Sequence, residues 1–173
     1  KSLSYYFKGL KIDEKLNNDV SIAIDLNNIG NIYLTVNDSE KAINYFSKAL
    51  EIKTRLNDQA GIGNALINMA NAFYLTGELE KALSLANKAK LIYNILKDNE
   101  KLILVYSTIG SIHKSRGEQE DALKFFNIAI ASAEKIEDFQ SLCVLQINSG
   151  NIYADIGETT IAIEHYENAM INA

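Results

Sequence analysis

The chain repeats itself at a fixed stride. Residues 26–50 read LNNIGNIYLTVNDSEKAINYFSKAL, and the pattern returns at 66–90 as LINMANAFYLTGELEKALSLANKAK. It returns at 106–130 as YSTIGSIHKSRGEQEDALKFFNIAI and at 146–170 as QINSGNIYADIGETTIAIEHYENAM. A constant stride of 40 residues marks a repeat array. In such an array one supersecondary unit cannot bury its apolar face alone and is stacked on copies of itself.

Each copy reads as two helices. Over residues 20–36, Ile22, Leu26, Ile29, Gly30 and Tyr33 recur at helical spacing and form one apolar stripe. Asn37 and Asp38 make a turn, and Asp38 or Ser39 is placed to cap the next helix, with Glu40 suited to its positive end. The second helix runs to about Leu56 and turns Ala42, Phe46, Ala49 and Leu50 to one side. Asn57 and Asp58 close the unit. The scheme predicts further pairs at 60–76 with 78–96, 100–116 with 118–136, and 140–156 with 158–172. Residues 1–16 align with 41–56: Ser2 with Ala42, Tyr6 with Phe46, Gly9 with Ala49, Leu10 with Leu50. The chain therefore reads as a piece of a longer protein and as a single array over 1–173. Residues 1–18 are the second helix of a truncated repeat, and four repeats follow at 20–58, 60–98, 100–138 and 140–173.

Composition supports long helices. The chain has no proline, and Gly77, Gly117 and Gly157 fall one stride apart where left-handed, helix-ending geometry is wanted. Asn37 holds that place in the first repeat. Small residues recur where helices must approach: Gly30, Ala70, Gly110, Gly150; Ala42, Ala82, Ala122, Ala162; Ala49, Ala89, Ala129, Ala169. Large ones alternate with them: Tyr33, Phe73, His113, Tyr153 on the first helix, and Phe46, Phe126, Tyr166 on the second.

These positions carry a resemblance. The small residue at 30/70/110/150, the aromatic at 33/73/153, the glycine at 77/117/157 and the paired alanines together resemble a tetratricopeptide repeat array over nearly the whole chain. Two departures stand out. The usual period is about 34, and the usual unit ends in a proline where this chain has Thr54, Asn94 and Glu134. The longer period is similar to that of kinesin light chains, spindle-orientation adaptors and bacterial peptide receptors or sensor regions of signalling proteins. The resemblance implies an all-α, right-handed α-solenoid of antiparallel helix pairs whose first helices line a concave groove.

A second stripe on the first helices lies off the packing face: Ile24, Asn28, Asn31, Thr35; Asn64, Asn68, Asn71, Leu75; Leu104, Thr108, Ser111, Ser115; Val144, Asn148, Asn151, Asp155. Its two middle positions are amide or hydroxyl in every repeat. Asparagine is a poor interior helix residue, so its recurrence argues for a use. An amide donates and accepts, which suits the backbone of an extended peptide. Helices about 9 Å apart match about three extended residues of about 3.3 Å each. The expected peptide-binding residues are Asn28, Asn31, Asn64, Asn68, Asn71, Thr108, Ser111, Lys114, Asn148 and Asn151. The same amides can instead bridge neighbouring first helices. Lys114 is the one cation assigned to this face, so the terminal-carboxylate clamp of some tetratricopeptide domains is missing. A neutral or mildly basic extended segment is the expected ligand.

Other classes find little support. Net charge is −5, which argues against nucleic acid, whose phosphates need clustered Lys and Arg. No apolar run is long enough to span a membrane. Cys143 is the only cysteine, so no disulfide closes within the chain. No His, Cys and carboxylate set stands at familiar ligand spacing, no phosphate loop and no nucleophile elbow occur, and neither enzyme, metal nor cofactor is expected. His113 replaces Tyr33 and Tyr153 and reads as a packing residue; His165 reads as surface. Gln146 and Ser149 make the fourth first-helix less apolar, and Ala86 and Lys90 thin the core of the second repeat. The leading function is a non-catalytic scaffold holding an extended peptide or partner helix, as the cytoplasmic sensor or adaptor region of a bacterial signalling protein. The alternative is homodimerisation through open repeat ends, where Leu3, Tyr6 and Leu10, or Tyr166 and Met170, are expected to lack a neighbour.

Overall fold

The structure, a computed structural model, describes residues 2–172 without the side chain of Ser2. The matching of Ser2 to Ala42 and the limits of the array at 1 and 173 lie outside the described residues. Within them the chain is all-α, with helices α1 Ser2–Leu16, α2 Asp19–Thr35, α3 Ser39–Arg55, α4 Gln59–Leu75, α5 Leu79–Leu96, α6 Asn99–Ser115, α7 Gln119–Lys135, α8 Phe139–Asp155 and α9 Thr159–Ile171. None is long and apolar enough to cross a membrane.

Local chemistry sets the helix starts. Asn18, Asp38, Asp58, Asp98 and Asp138 each accept a hydrogen bond from the backbone N–H three residues on, at the heads of α2, α3, α4, α6 and α8. Of the two candidates at the head of α3, the cap is Asp38. Glu118 and Glu158 stand at the heads of α7 and α9 and make no such bond.

The helix ends are as regular. Gly77, Gly117 and Gly157 have φ of +80°, +76° and +86°, and Asn17, Asn37 and Asn57 occupy the same region. Lys97 and Glu137 also do so, both at φ 56°. The residue after each left-handed one donates back into the last turn, as Asp38 N–H does to Tyr33 O at 2.9 Å.

The chain divides into two compact units, Lys1–Ile92 and Tyr93–Ala173. In the first, α1 packs on α2, α2 on α3, α3 on α4, and α2 also touches α4. One core joins Leu10, Leu26, Ile29 and Ala49 under Leu3, Tyr6, Ile22 and Tyr45. A second joins Ala42, Phe46 and Ala72 with Leu34 and Met69. In the second unit α6, α7, α8 and α9 pack in succession and α6 touches α8. Its core holds Ile103, Phe126, Ala129, Ala133, Leu142, Leu145 and Ile152.

Several expectations need correction. Leu10 is buried, and Leu3 and Tyr6 pack against its core, so they do not form an open end. Tyr166 is half-buried and donates to Asn151 Oδ1 at 2.8 Å. His165 is not a surface residue. It stacks on Tyr153 at 5.1 Å and bonds Gln146 Oε1 through Nδ1 at 2.5 Å, and burial lowers its pKa. That bond lets Gln146 lie 8% exposed in the interior. Ser149 is fully buried, and its hydroxyl has no hydrogen-bond partner among the described residues.

Candidate functional site

The polar stripe starts from α2 and α4 in the first unit. Their N-terminal halves, with the end of α3, enclose an open cleft of about 230 Å³ lined by Ile24, Asn27, Asn28, Asn64, Lys53 and Asp58, among others. Asp58 does two jobs there. It caps α4 through Gly61 N–H at 2.9 Å, and it takes an ion pair from Lys53 Nζ at 2.8 Å. The Lys53 hydrogen bond, then the Gly61 N–H, hold the Asp58 carboxyl below the ordinary carboxylate range. Lys53 belongs to a second helix, so a reading confined to first helices missed it.

The second unit builds the equivalent cleft from α6 and α8. It measures about 310 Å³ and is lined by Glu100, Lys101, Leu104, Ser107, Asp138 and Val144, among others. Leu104, Ser107, Asp138 and Val144 stand two strides beyond Ile24, Asn27, Asp58 and Asn64. Lys101 thus adds a cation to the stripe's side of α6 besides Lys114.

The stripe is uneven in what it leaves free. Asn68 donates from Nδ2 to Asn27 Oδ1 at 2.9 Å, across α4 to α2. It keeps one N–H and its carbonyl oxygen. Asn151 receives the Tyr166 hydroxyl. Thr108 is buried and bonds back to Leu104 O at 3.0 Å, and Ser111 bonds back to Ser107 O at 2.9 Å. Asn64 and Asn71, both half-buried, are also engaged. Lys114 is half-buried. Asn28 and Asn148 are half-buried and Asn31 exposed, with no side-chain hydrogen bond among the described residues. Asn28 faces the first cleft. The cross-helix bond of Asn68 left no signal in the periodicity, because it depends on the axial offset of two helices.

A second chemical grouping lies at the turn from α6 to α7. One donor atom each from His113, Glu118 and Asp121 lies within 4.8 Å of the others. The three are five and three residues apart across a helix boundary, a spacing that single-helix ligand patterns do not cover.

Two family models described as tetratricopeptide repeat match residues 23–53 and 61–135. No curated protein matches in sequence. Among solved structures, BtubC (BKLC) from P. vanneervenii is similar at TM-score 0.85 and 18% identity, covering 98% of this chain and 70% of that one. A Rap protein complexed with competence and sporulation factor is similar at 0.83 and 21%, covering 98% of this chain and 53% of that one. A Podosopora anserina putative kinesin light chain with nearly identical TPR-like repeats is similar at 0.73 and 14%, covering 98% and 84%. At these identities the likeness is one of fold.

Proposed function

Since the chain belongs to the tetratricopeptide repeats, we propose that it is a non-catalytic interaction scaffold whose first helices hold an extended peptide segment. The carrying observation is the recurrence of one cleft, built largely by the same positions, in each unit. Each is open, mixed apolar and polar, and sits beside the amide and hydroxyl stripe. Ile24 and Leu104 are exposed apolar walls for a ligand side chain. Asn28 and Asn148 keep donors and acceptors for a ligand backbone. That a solved structure of this fold is a complex of a Rap protein with competence and sporulation factor supports the reading of a sensor or adaptor region.

Each ligand hydrogen bond contributes about 0.5–1.5 kcal/mol net, so the stripe supplies grip and the cleft walls supply choice. The test is an array of unstructured peptides of neutral, basic and acidic character, followed by fluorescence anisotropy on the hits. The reading expects neutral or mildly basic segments to bind and Asn28→Ala to weaken them. Hits that bind Asn28→Ala and Asn148→Ala as tightly as the parent chain overturn it. Acidic C-terminal peptides lost on Lys114→Ala overturn the charge preference.

A second reading, self-association, is favoured by one observation. Met170 and Ile171 are 79% and 81% exposed at the end of α9. Light scattering across concentration separates the two, because pairing of copies rises with concentration without added peptide.

A further inference from the structure

The turns between paired helices carry a second periodic device. In the first repeat Lys41 Nζ lies 2.6 Å from Asp38 Oδ2 and 5.2 Å from the centroid of the Tyr33 ring. In the second, Lys81 Nζ lies 2.5 Å from Glu78 Oε2 and 5.3 Å from the centroid of Phe73. A cation is thus seated twice at the same place, between an acid and the face of a ring. The third repeat keeps the acid as Glu118. The lysine, however, has become Asp121 and the ring has become His113. One cation has been replaced by a carboxylate, and the apolar ring by an imidazole. The fourth repeat, with Tyr153, Glu158 and Ile161, has neither change.

The surroundings hold the new groups in place. The His113 side chain is 14% exposed and its ring stacks on Phe125 at 5.3 Å and 6°. His113 Nδ1 lies 2.5 Å from Glu118 Oε2, while Arg116 donates to Glu118 Oε1 at 3.0 Å. Both Glu118 oxygens are thus turned toward these side chains, and neither caps the head of α7.

We propose that His113, Glu118 and Asp121 hold a divalent transition-metal ion of the zinc class at the spot where the first two repeats seat a lysine ammonium. Neutral imidazole with two carboxylates is a ligand set for Zn²⁺, Co²⁺ or Ni²⁺, and the nitrogen disfavours Mg²⁺ and Ca²⁺. Metal–ligand distances of about 2.0–2.2 Å require the three donor atoms to draw closer than their present spread. Asp121, exposed on the first turn of α7, is the side chain free to swing. The ion separates His113 from Glu118, each of which becomes its ligand. Arg116 stays on the outer oxygen of Glu118 and fixes its orientation, as partners of metal ligands do. Water completes the coordination. Such an ion ties the end of α6 to the start of α7.

The experiment is titration calorimetry of the whole chain with ZnCl₂, with a Co²⁺ absorption spectrum as a second readout. The expected result is one Zn²⁺ per chain with Kd on the order of 1–10 μM. His113→Tyr and Asp121→Lys install the residues that the first repeat has as Tyr33 and Lys41, so the fold is kept; Asp121→Asn serves if the lysine disturbs it. Each variant weakens Zn²⁺ by about tenfold or more. An absence of stoichiometric binding at about 100 μM Zn²⁺, an equal preference for Mg²⁺, or variants that bind as the parent does would each overturn the proposal.

Discussion

Phe46 packs so close to Gly30 that a Cβ on residue 30 would meet its Cε1 at 2.5 Å. The same closeness recurs between Gly110 and Phe126 at 2.6 Å and between Gly150 and Tyr166 at 2.7 Å. In the second repeat the two places hold Ala70 and Ala86, both fully buried. Where the ring is lost, the glycine is lost too. Gly30→Ala is therefore expected to cost about 1–3 kcal/mol by overpacking. Adding Phe46→Ala to that variant should cost less than Phe46→Ala alone, because the new methyl group fills part of the vacated space. A double-mutant cycle by urea unfolding measures the coupling; strict additivity contradicts it.

Asp58 joins a helix cap to an ion pair, and the two can be separated. Its folded pKa is depressed, by Lys53 first and Gly61 second. The stabilisation is present above the unfolded carboxylate pKa and disappears as pH falls through the lower folded value. Asp58→Ala is expected to cost about 1 kcal/mol or more at pH 7. Asp58→Asn keeps the cap and loses the charge, so it should fall between. Thermal melts of the three chains at neutral and strongly acidic pH check this, with the differences shrinking in acid.

Asp25 runs the other way. Its Oδ2 is buried without a hydrogen-bond partner among the described residues, and a Cβ on Gly9 would lie 2.8 Å from it. Ala65, Val105 and Leu145 fill the corresponding positions as buried apolar residues. Burial, then Asp13, raise the Asp25 pKa. A raised carboxyl pKa penalises the folded state when ionised, so stability is recovered as pH falls through the folded value. Asp25→Ala is expected to stabilise the chain by about 1 kcal/mol at pH 7, and the gain should narrow on acidification. Chemical unfolding at several pH values reads it directly.

Lys97 and Glu137 occupy left-handed backbone at φ 56°, where the sister turns have Gly or Asn. Side chains there cost about 1–2 kcal/mol, partly offset by the greater flexibility of unfolded glycine. Lys97→Gly and Glu137→Gly should each raise stability by about 0.5–1 kcal/mol, visible as a higher melting temperature.

The helices were legible because their ends are written locally. Spacing predicts a helix over 20–36, and the cap at Asn18 and the left-handed Asn37 bound the real one at Asp19–Thr35. The left-handed turn at Gly77 was visible as a residue type. What lay hidden depends on how one helix is offset against the next. The Asn68–Asn27 bond and the pairing of His165 with Gln146 join residues 41 and 19 apart. Periodicity states which face a side chain takes, but not which neighbour it meets along the axis. Lys53 and Lys101 were missed for the same reason, since the clefts draw on helix ends as well as on the stripe.

The turns that end each repeat are nearly interchangeable. Asn57–Asp58, Lys97–Asp98 and Glu137–Asp138 each place a left-handed residue before the aspartate that starts the following helix. Excising residues 59–98 would join Asp58 to Asn99, and the head of α6 would inherit an aspartate where it already had one. A seam of that kind is chemically silent. Genetic slippage by whole strides can therefore lengthen or shorten such a chain without rewriting a single joint, and selection is left to act on the faces alone.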